Sequence, residues 1–285
     1  LLKTMGGGKD GFFWEYMEIP QKNDDNALEM YTLQCRNHIL KPLAEKYGID
    51  TSDEAIRAAV EQHNEVCRLI RAIGDFRKEA NPRVTGYEFH ILTLVSYVAP
   101  KHLIVDQLRE TLEEIKTREP DAADKYRARV VFVGSEVDDV DVIRLVEESG
   151  AYVCADRFCY GSLPGRDEIL LNDDEDVVKQ VCRQVQGRAQ CPRYWDMAKM
   201  TGRRDYVADL AKEYGADGII YEQMKFCDPW AYERMIGTIV LRDEHGYPVL
   251  AVDRPYSIGS SGQMRTRVQA FVESIEIKKI QGGKK

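Results

Sequence analysis

The sequence predicts an α/β protein: a helical layer followed by a small four-stranded parallel-sheet domain of flavodoxin-like or Rossmann-like type. Three observations carry this. Helical periodicity fills residues 25–118 without a strand signal inside it. From Ala128 onward, short apolar runs alternate with amphipathic segments, as strand–helix–strand units with right-handed crossovers do. The first run, Arg129-Val-Val-Phe-Val133, is continuously apolar after its arginine, which suits a parallel strand covered on both faces.

Taken in order, Met5–Asp10 is a glycine-rich turn, and Phe12–Ile19 reads as a strand stopped by Pro20. The glycine run is no phosphate loop, because no strand precedes it and no Gly-Lys-Ser/Thr ends it. Asp25–Tyr47 has helical spacing, with Leu28, Tyr31, Leu33 and Leu40 among polar residues and Gly48 as the stop. Thr51-Ser52-Asp53-Glu54 starts a second helix that runs to Lys78, with Ile56, Val60, Val66, Leu69, Ile70 and Ile73 on one face. Gly86–Val98 reads as a mostly apolar, buried helix and His102–Arg118 as an amphipathic one.

In the second half, strands are expected at Arg129–Val133, Ala151–Ala155, Gly218–Tyr221 and Pro248–Val252. Helices are expected at Val140–Glu148, Glu175–Gln186, Arg203–Tyr214, Trp230–Leu241 and Gln263–Ser274.

Composition narrows the function. A net charge of −8 and a pI near 5.3 disfavour a nucleic-acid-binding surface, which needs concentrated Lys and Arg. No apolar run approaches the roughly 20 residues that span a bilayer, and no signal peptide is expected. Seven cysteines, an odd number without regular spacing, indicate reduced thiols and a cytoplasmic setting. On the helical layer His38, His63, His90 and His102 fall at irregular separations, a pattern that only weakly favours metal ligation.

In an open parallel sheet, chemistry gathers at the carboxyl ends of the strands. That rule makes Ser135-Glu136, Asp156–Gly161, Lys225–Asp228 and Asp253–Gln263 neighbours on one rim. The rim carries Cys159 and Cys227 with Lys225 and the carboxylates Glu136, Asp156 and Asp228, but no GxGxxG, nucleophile elbow or strand-anchored histidine. Asp228 can cap the helix after Cys227, and Pro229 suits its first turn. A free cysteine is otherwise a small buried hydrophobe, and each carboxylate alone is a helix cap or a solvated charge.

Four stretches carry a resemblance: Ala216-Asp-Gly-Ile-Ile220, Lys225-Phe-Cys-Asp-Pro229, Gly246–Asp253, and Gly262-Gln-Met-Arg-Thr-Arg-Val-Gln-Ala-Phe-Val-Glu273. Together with Gly134-Ser-Glu136, Gly150-Ala151, Ala155-Asp156 and Cys159-Tyr-Gly-Ser162, they resemble the 2-hydroxyacyl-CoA dehydratase D-component family, which includes benzoyl-CoA reductase subunits.

The resemblance covers most of the chain and implies a C-terminal two-thirds of such a subunit. Residues 1–24 would close an upstream α/β domain, 25–126 form the helical region, and 127–285 form the parallel-sheet domain with a cluster-ligand loop. The absence of an initial methionine agrees with a fragment or a processed product.

The resemblance further implies a [4Fe-4S] cluster held by three cysteines, of which Cys227 matches the last. The other two are expected upstream of this chain; Cys35 and Cys67 fall on the helical layer, and Cys159 takes no ligand role. Glu136, Gly262 and Gln263 are expected to shape the substrate pocket rim, while Arg265 and Arg267 either brace the rim or a subunit contact or form surface salt bridges.

The implied activity is radical elimination of water from an (R)-2-hydroxyacyl-CoA thioester. It would follow one-electron reduction by a separate iron–sulfur activator, and ATP would enter only through that activator. A second, homologous dehydratase subunit would be the partner. The alternatives are a benzoyl-CoA-reductase-type or other activator-linked reductase subunit, and a cluster-free structural or truncated subunit.

Overall fold

The computed structural model describes residues 15–120, 125–162, 167–194, 197–256 and 261–282. The chain divides into two compact units, and the division falls between Glu61 and Gln62.

The first unit comprises residues 1–61, 169–189 and 194–196. Helix α1 (Asp25–Cys35) starts at Asp24, whose carboxylate accepts the Ala27 N–H at 2.9 Å, and a π-helical turn (Arg36–Leu40) leads into α2 (Lys41–Tyr47). Gly48 ends α2 at φ 66°, a left-handed position that glycine takes without strain. Helix α7 (Val177–Arg188) starts at Asp176, whose side chain accepts the Lys179 N–H at 2.7 Å. Leu28, Val178 and Cys182 form the core of this unit, with Tyr31, Cys35, Leu40 and Ile56 packed around them.

The expected strand over Phe12–Ile19 does not form across residues 15–19. Among the described residues no strand lies beside it, and the Glu18 N–H turns instead to the Gln34 side chain on α1 at 3.0 Å. The remainder of that segment and the Met5–Asp10 turn lie outside the described residues.

The second unit comprises residues 62–168, 190–193 and 197–285. Its helical part holds the end of α3 (Asp53–Asp75), a 3-10 turn (Phe76–Lys78), α4 (Gly86–Val98) and α5 (Lys101–Thr117). Val66, Ile70, Ile73, Phe89, Ile104, Leu108 and Ile115 pack together, as the sequence periodicity requires. Thr85 and Glu88 close a reciprocal capping box on α4. Contrary to expectation, α4 is not buried throughout: Val95 and Val98 are exposed, and its covered face is Phe89, His90, Thr93 and Ser96. Thr93 and Ser96 return their hydroxyl protons to the helix carbonyls of Phe89 and Thr93, so polar residues can face inward here.

The sheet contains β1 (Ala128–Val133), β2 (Ala151–Arg157), β3 (Gly218–Met224) and β4 (Val249–Arg254), all parallel, in the order β2-β1-β3-β4. Helices α6 (Val140–Glu148), α8 (Met197–Glu213), α9 (Asp228–Asp243) and α10 (Ser261–Gly282) complete the unit. Two apolar cores cover the sheet faces: Val130, Phe132, Ile220 and Val252 pack with α6 and α10, and Val131, Val133, Ile219 and Tyr221 pack with α8 and α9. The elements run past the expected bounds: β2 to Arg157, β3 to Met224, and α10 to Gly282.

A buried carboxylate joins the helical part of this unit to the sheet. Glu147 on α6 accepts the N–H groups of Gly86 at 2.8 Å, Tyr87 at 3.1 Å and Val153 at 3.3 Å, tying α4 and β2 together. Burial pushes its carboxyl up to about 7, and these N–H groups only partly oppose the shift. The folded state therefore keeps its proton up to about pH 7, whereas the unfolded chain releases it near 4.5. The contribution of this group is complete below pH 4.5 and is lost as pH rises through 7, by up to about 3 kcal/mol. Urea unfolding at pH 5 and pH 7.5 should show a shallower pH slope for Glu147→Gln than for the parent; equal slopes would remove Glu147 as the cause.

Candidate functional site

The strand order changes direction between β1 and β3, because β1 connects onward to β2 on one side while β3 connects to β4 on the other. Ligand crevices of open parallel sheets form outside the carboxyl ends at such a switch point. Here those ends are Gly134-Ser135-Glu136 and the segment from Glu222 to Cys227.

The two ends are locked together by a buried carboxylate. The Ser135 N–H and hydroxyl donate to Glu222 Oε2 at 3.1 and 2.9 Å, and Ser135 Oγ accepts the Met224 N–H at 2.6 Å. Arg254, at the end of β4, pairs with Glu222 at 2.9 Å and donates to the Glu136 carbonyl. A Cβ at Gly134 would stand 2.4 Å from the Glu222 carbonyl oxygen, so the approach of β1 to β3 needs glycine. Glu222 is fully buried, and burial lifts its carboxyl to about 7 although Arg254 and Ser135 pull it down.

Beyond Met224 the chain turns sharply. The Cys227 N–H closes onto the Met224 carbonyl at 3.1 Å, while Phe226 takes φ 73° and is almost entirely exposed. A bulky residue in the left-handed region is a strained conformation that clusters at functional loops. Cys227 itself is the N-cap of α9, where Asp228 was expected; Asp228 instead supplies negative charge to the first turn, with Pro229 beside it. The Cys227 thiol is half-buried and its pKa is raised: burial dominates, the Trp230 backbone N–H opposes it, and Cys191, Glu222 and Asp228 add to it.

Cys227, Cys159 and Cys191 form one electrostatic group, since the charges of Cys191 and Cys227 disfavour ionisation of Cys159 and that of Cys191 disfavours Cys227. Cys159 reaches solvent, yet the protein crowded around it still pushes its thiol up to about 11 by desolvation. Next to it lies Arg157, a buried guanidinium that meets the Trp230 ring at 4.8 Å and Gln190 Oε1 at 3.1 Å but no carboxylate among the described residues. The buried Trp230 Nε1–H favours the Cys159 thiolate but meets no acceptor in full hydrogen-bond geometry among the described residues. A buried cation without a counter-charge and an underused donor suit an anionic occupant.

Ligand count is the obstacle. Among the described residues, no three His, Cys, Asp or Glu side chains are placed to hold a metal ion. A [4Fe-4S] cluster therefore does not fit the described residues by themselves.

The rim expected from sequence is otherwise assembled in part. Glu136 is partly exposed, with its carboxyl raised by burial and by Asp138. Gln263 lines a shallow crevice with Asp253, Arg254, Pro255 and Arg267, and Gly262 is exposed at the start of α10. Arg265 forms an exposed ion pair with Glu148 at 2.8 Å, and Arg267 donates to the Ala251 carbonyl at 2.6 Å. A larger cavity of about 190 Å³ opens at the opposite strand ends between Tyr126, Arg129, Asp217 and Lys279, away from the switch point.

Sequence reasoning placed Arg157 and Arg254 within the rim segments without giving either a role, and it missed Glu222 and Cys191. Glu222 lies one residue beyond the strand end expected at Tyr221, and continuing that strand would have placed it at the rim.

Fold and site together define a parallel α/β domain with a thiol-bearing loop at its switch point. The sequence pattern of the family described as 2-hydroxyglutaryl-CoA dehydratase, D-component matches residues 10–275, and the chain belongs to that family. It is 25% identical over 259 residues to the (R)-phenyllactyl-CoA dehydratase beta subunit of Clostridium sporogenes, covering 90% of this chain and 67% of that one. Identity to the beta subunit of (R)-2-hydroxyglutaryl-CoA dehydratase from Acidaminococcus fermentans is 25% over 267 residues, covering 91% and 68% respectively. A benzoyl-CoA reductase subunit of Thauera aromatica is 23% identical over 283 residues, covering 97% and 70%. No described helix is long and apolar enough to cross a membrane.

Proposed function

We propose that this chain serves in a subunit of an enzyme that removes water from an (R)-2-hydroxyacyl-CoA thioester. The finer reading is radical elimination after one-electron reduction by a separate, ATP-hydrolysing iron–sulfur activator. The observation that carries the proposal is the family match over residues 10–275, combined with Cys227 at the switch-point end of β3.

On this reading Cys227 is the contribution of the chain to a [4Fe-4S] site, and its further ligands come from beyond the described residues. Ser135, Glu222 and Arg254 hold the Cys227 loop against β1, and Glu222 keeps a proton up to about pH 7 within that clamp. Trp230 and Arg157 close the floor beneath the thiols against water. Glu136, Gly262 and Gln263 shape the rim toward substrate.

The relatives are each named as one subunit of an enzyme, and the proposal includes a second, homologous subunit as partner. Exposed apolar side chains on one stripe of α9, Tyr232, Met235, Ile236 and Ile239, support such a contact.

The test is an anaerobic assay of the protein purified with its neighbouring subunit and activator. Loss of water from 2-hydroxyacyl-CoA thioesters, dependent on ATP and activator, is the expected result. Reduction of benzoyl-CoA without dehydration would favour a second reading, to which the match of 97% of this chain to the Thauera aromatica reductase lends weight. Neither activity in a folded, assembled complex would leave a structural subunit.

A further inference from the structure

Outside the switch-point site, two thiols meet inside the first unit. Cys182 on α7 donates its S–H to Cys35 Sγ on α1 at 3.5 Å, across 147 positions of sequence. Both are free cysteines, but their surroundings differ: Cys35 is half-exposed, whereas Cys182 is buried beside Leu28 and Val178. We propose that Cys35 and Cys182 form a dithiol exchange site, which accepts a low-molecular-weight disulfide and closes into a reversible disulfide linking α1 to α7.

The division of roles follows from this placement. A redox-active pair needs an accessible thiolate to attack and a second thiol poised to resolve. Cys35 can be reached from solvent, and the hydrogen bond from Cys182 favours its thiolate, holding its pKa below the ordinary cysteine value against the effect of burial. Cys182 is shifted the opposite way, first because it donates that hydrogen bond and then because it is buried. It therefore remains a thiol until Cys35 has reacted.

In the first step the Cys35 thiolate attacks one sulfur of an incoming disulfide. The Cys35–S–S–R bond forms, the original S–S bond breaks, and one thiolate RS⁻ leaves with the electron pair. In the second step Cys182 gives up its proton to that leaving thiolate or to water and attacks Cys35 Sγ. The second RS⁻ departs and takes up from water the proton that Cys35 released on ionising, so that the protein has lost two hydrogens and the small disulfide has been reduced to two thiols. The sulfurs must close from 3.5 Å to about 2.0 Å for the final bond.

This site is separate from the enzymatic reading, and its test does not use turnover. The protein is equilibrated in buffers of oxidised and reduced glutathione, trapped with an alkylating reagent, and mapped by peptide mass spectrometry. The expected result is a Cys35–Cys182 cross-link that grows with the oxidised fraction and disappears on reduction.

In Cys182→Ser, glutathione should stay attached at Cys35, because the resolving thiol is gone. In Cys35→Ser, Cys182 should remain free. A parent protein in which Cys35 stays fully alkylatable at every ratio would overturn the proposal, as would one that stops at the Cys35 mixed disulfide. The parent map decides the matter even if a variant folds poorly.

Discussion

Arg77→Met is expected to lower the unfolding free energy by about 3–5 kcal/mol, the usual cost of stripping one partner from a buried ion pair. Arg77 is 1% exposed, lies 3.0 Å from Asp156 Oδ1, and is stacked 3.6 Å from the centre of the Phe89 ring. Methionine would fill much of the volume but leave Asp156 charged and unpaired in the interior.

The effect should extend to the site. The other Asp156 oxygen holds the Ser162 N–H at 2.6 Å, in the loop that carries Cys159. Urea unfolding followed by circular dichroism measures the loss, and a decrease below about 1 kcal/mol would mean that the pair is not the strut described here. The double variant Arg77→Met with Asp156→Leu should recover part of the loss, because it leaves no orphaned charge.

Arg254→Leu should approach a comparable effect, about 3–5 kcal/mol, in the alkaline range, where Glu222 would be ionised in the parent and has lost its counter-charge in the variant. Its guanidinium is the cation that lowers the Glu222 carboxyl, so removing it should raise that pKa from about 7 to a higher value. The folded state would then hold the proton to still higher pH. The Glu222 contribution is complete below the ordinary value of 4.5 and lost as pH rises through the folded pKa, so the loss in Arg254→Leu should continue further into the alkaline range. Stability measured from pH 6 to pH 9 tests this. A penalty in Arg254→Leu that does not grow with pH would contradict the placement of Arg254 as the counter-charge. Glu222→Gln, which keeps an acceptor for Ser135, should remove the pH dependence at a smaller cost.

The legible part of the fold was the part written in periodicity. β1 and α6 could be read almost residue for residue, because apolar runs and helical spacing are local properties of the chain. The site was legible as a place, since the carboxyl-end rule and the Lys225–Pro229 stretch both pointed to the end of β3. Its electrostatics were not legible. Whether Glu222 is a solvated strand residue or a buried clamp depends on Ser135, 87 positions earlier, and on Arg254 across β4. Single-sequence patterns do not encode such pairings. Cys35 and Cys182 illustrate the same limit, being 147 positions apart and in contact. The N-terminal strand expectation failed for the converse reason: residues 15–19 are strand-like in type but join no sheet among the described residues.

The central claim is that the Cys227 loop is what this chain brings to an iron–sulfur site. It is tested most directly by iron and acid-labile sulfide measured on the natural protein, purified anaerobically with its neighbouring subunit, for the parent, Cys227→Ala and Cys159→Ala. About one cluster per chain is expected in the parent and in Cys159→Ala, with loss of iron, sulfide and visible absorbance in a folded Cys227→Ala. Metal content unchanged in Cys227→Ala would contradict it and return Cys227 to the role of a half-buried thiol at the start of α9.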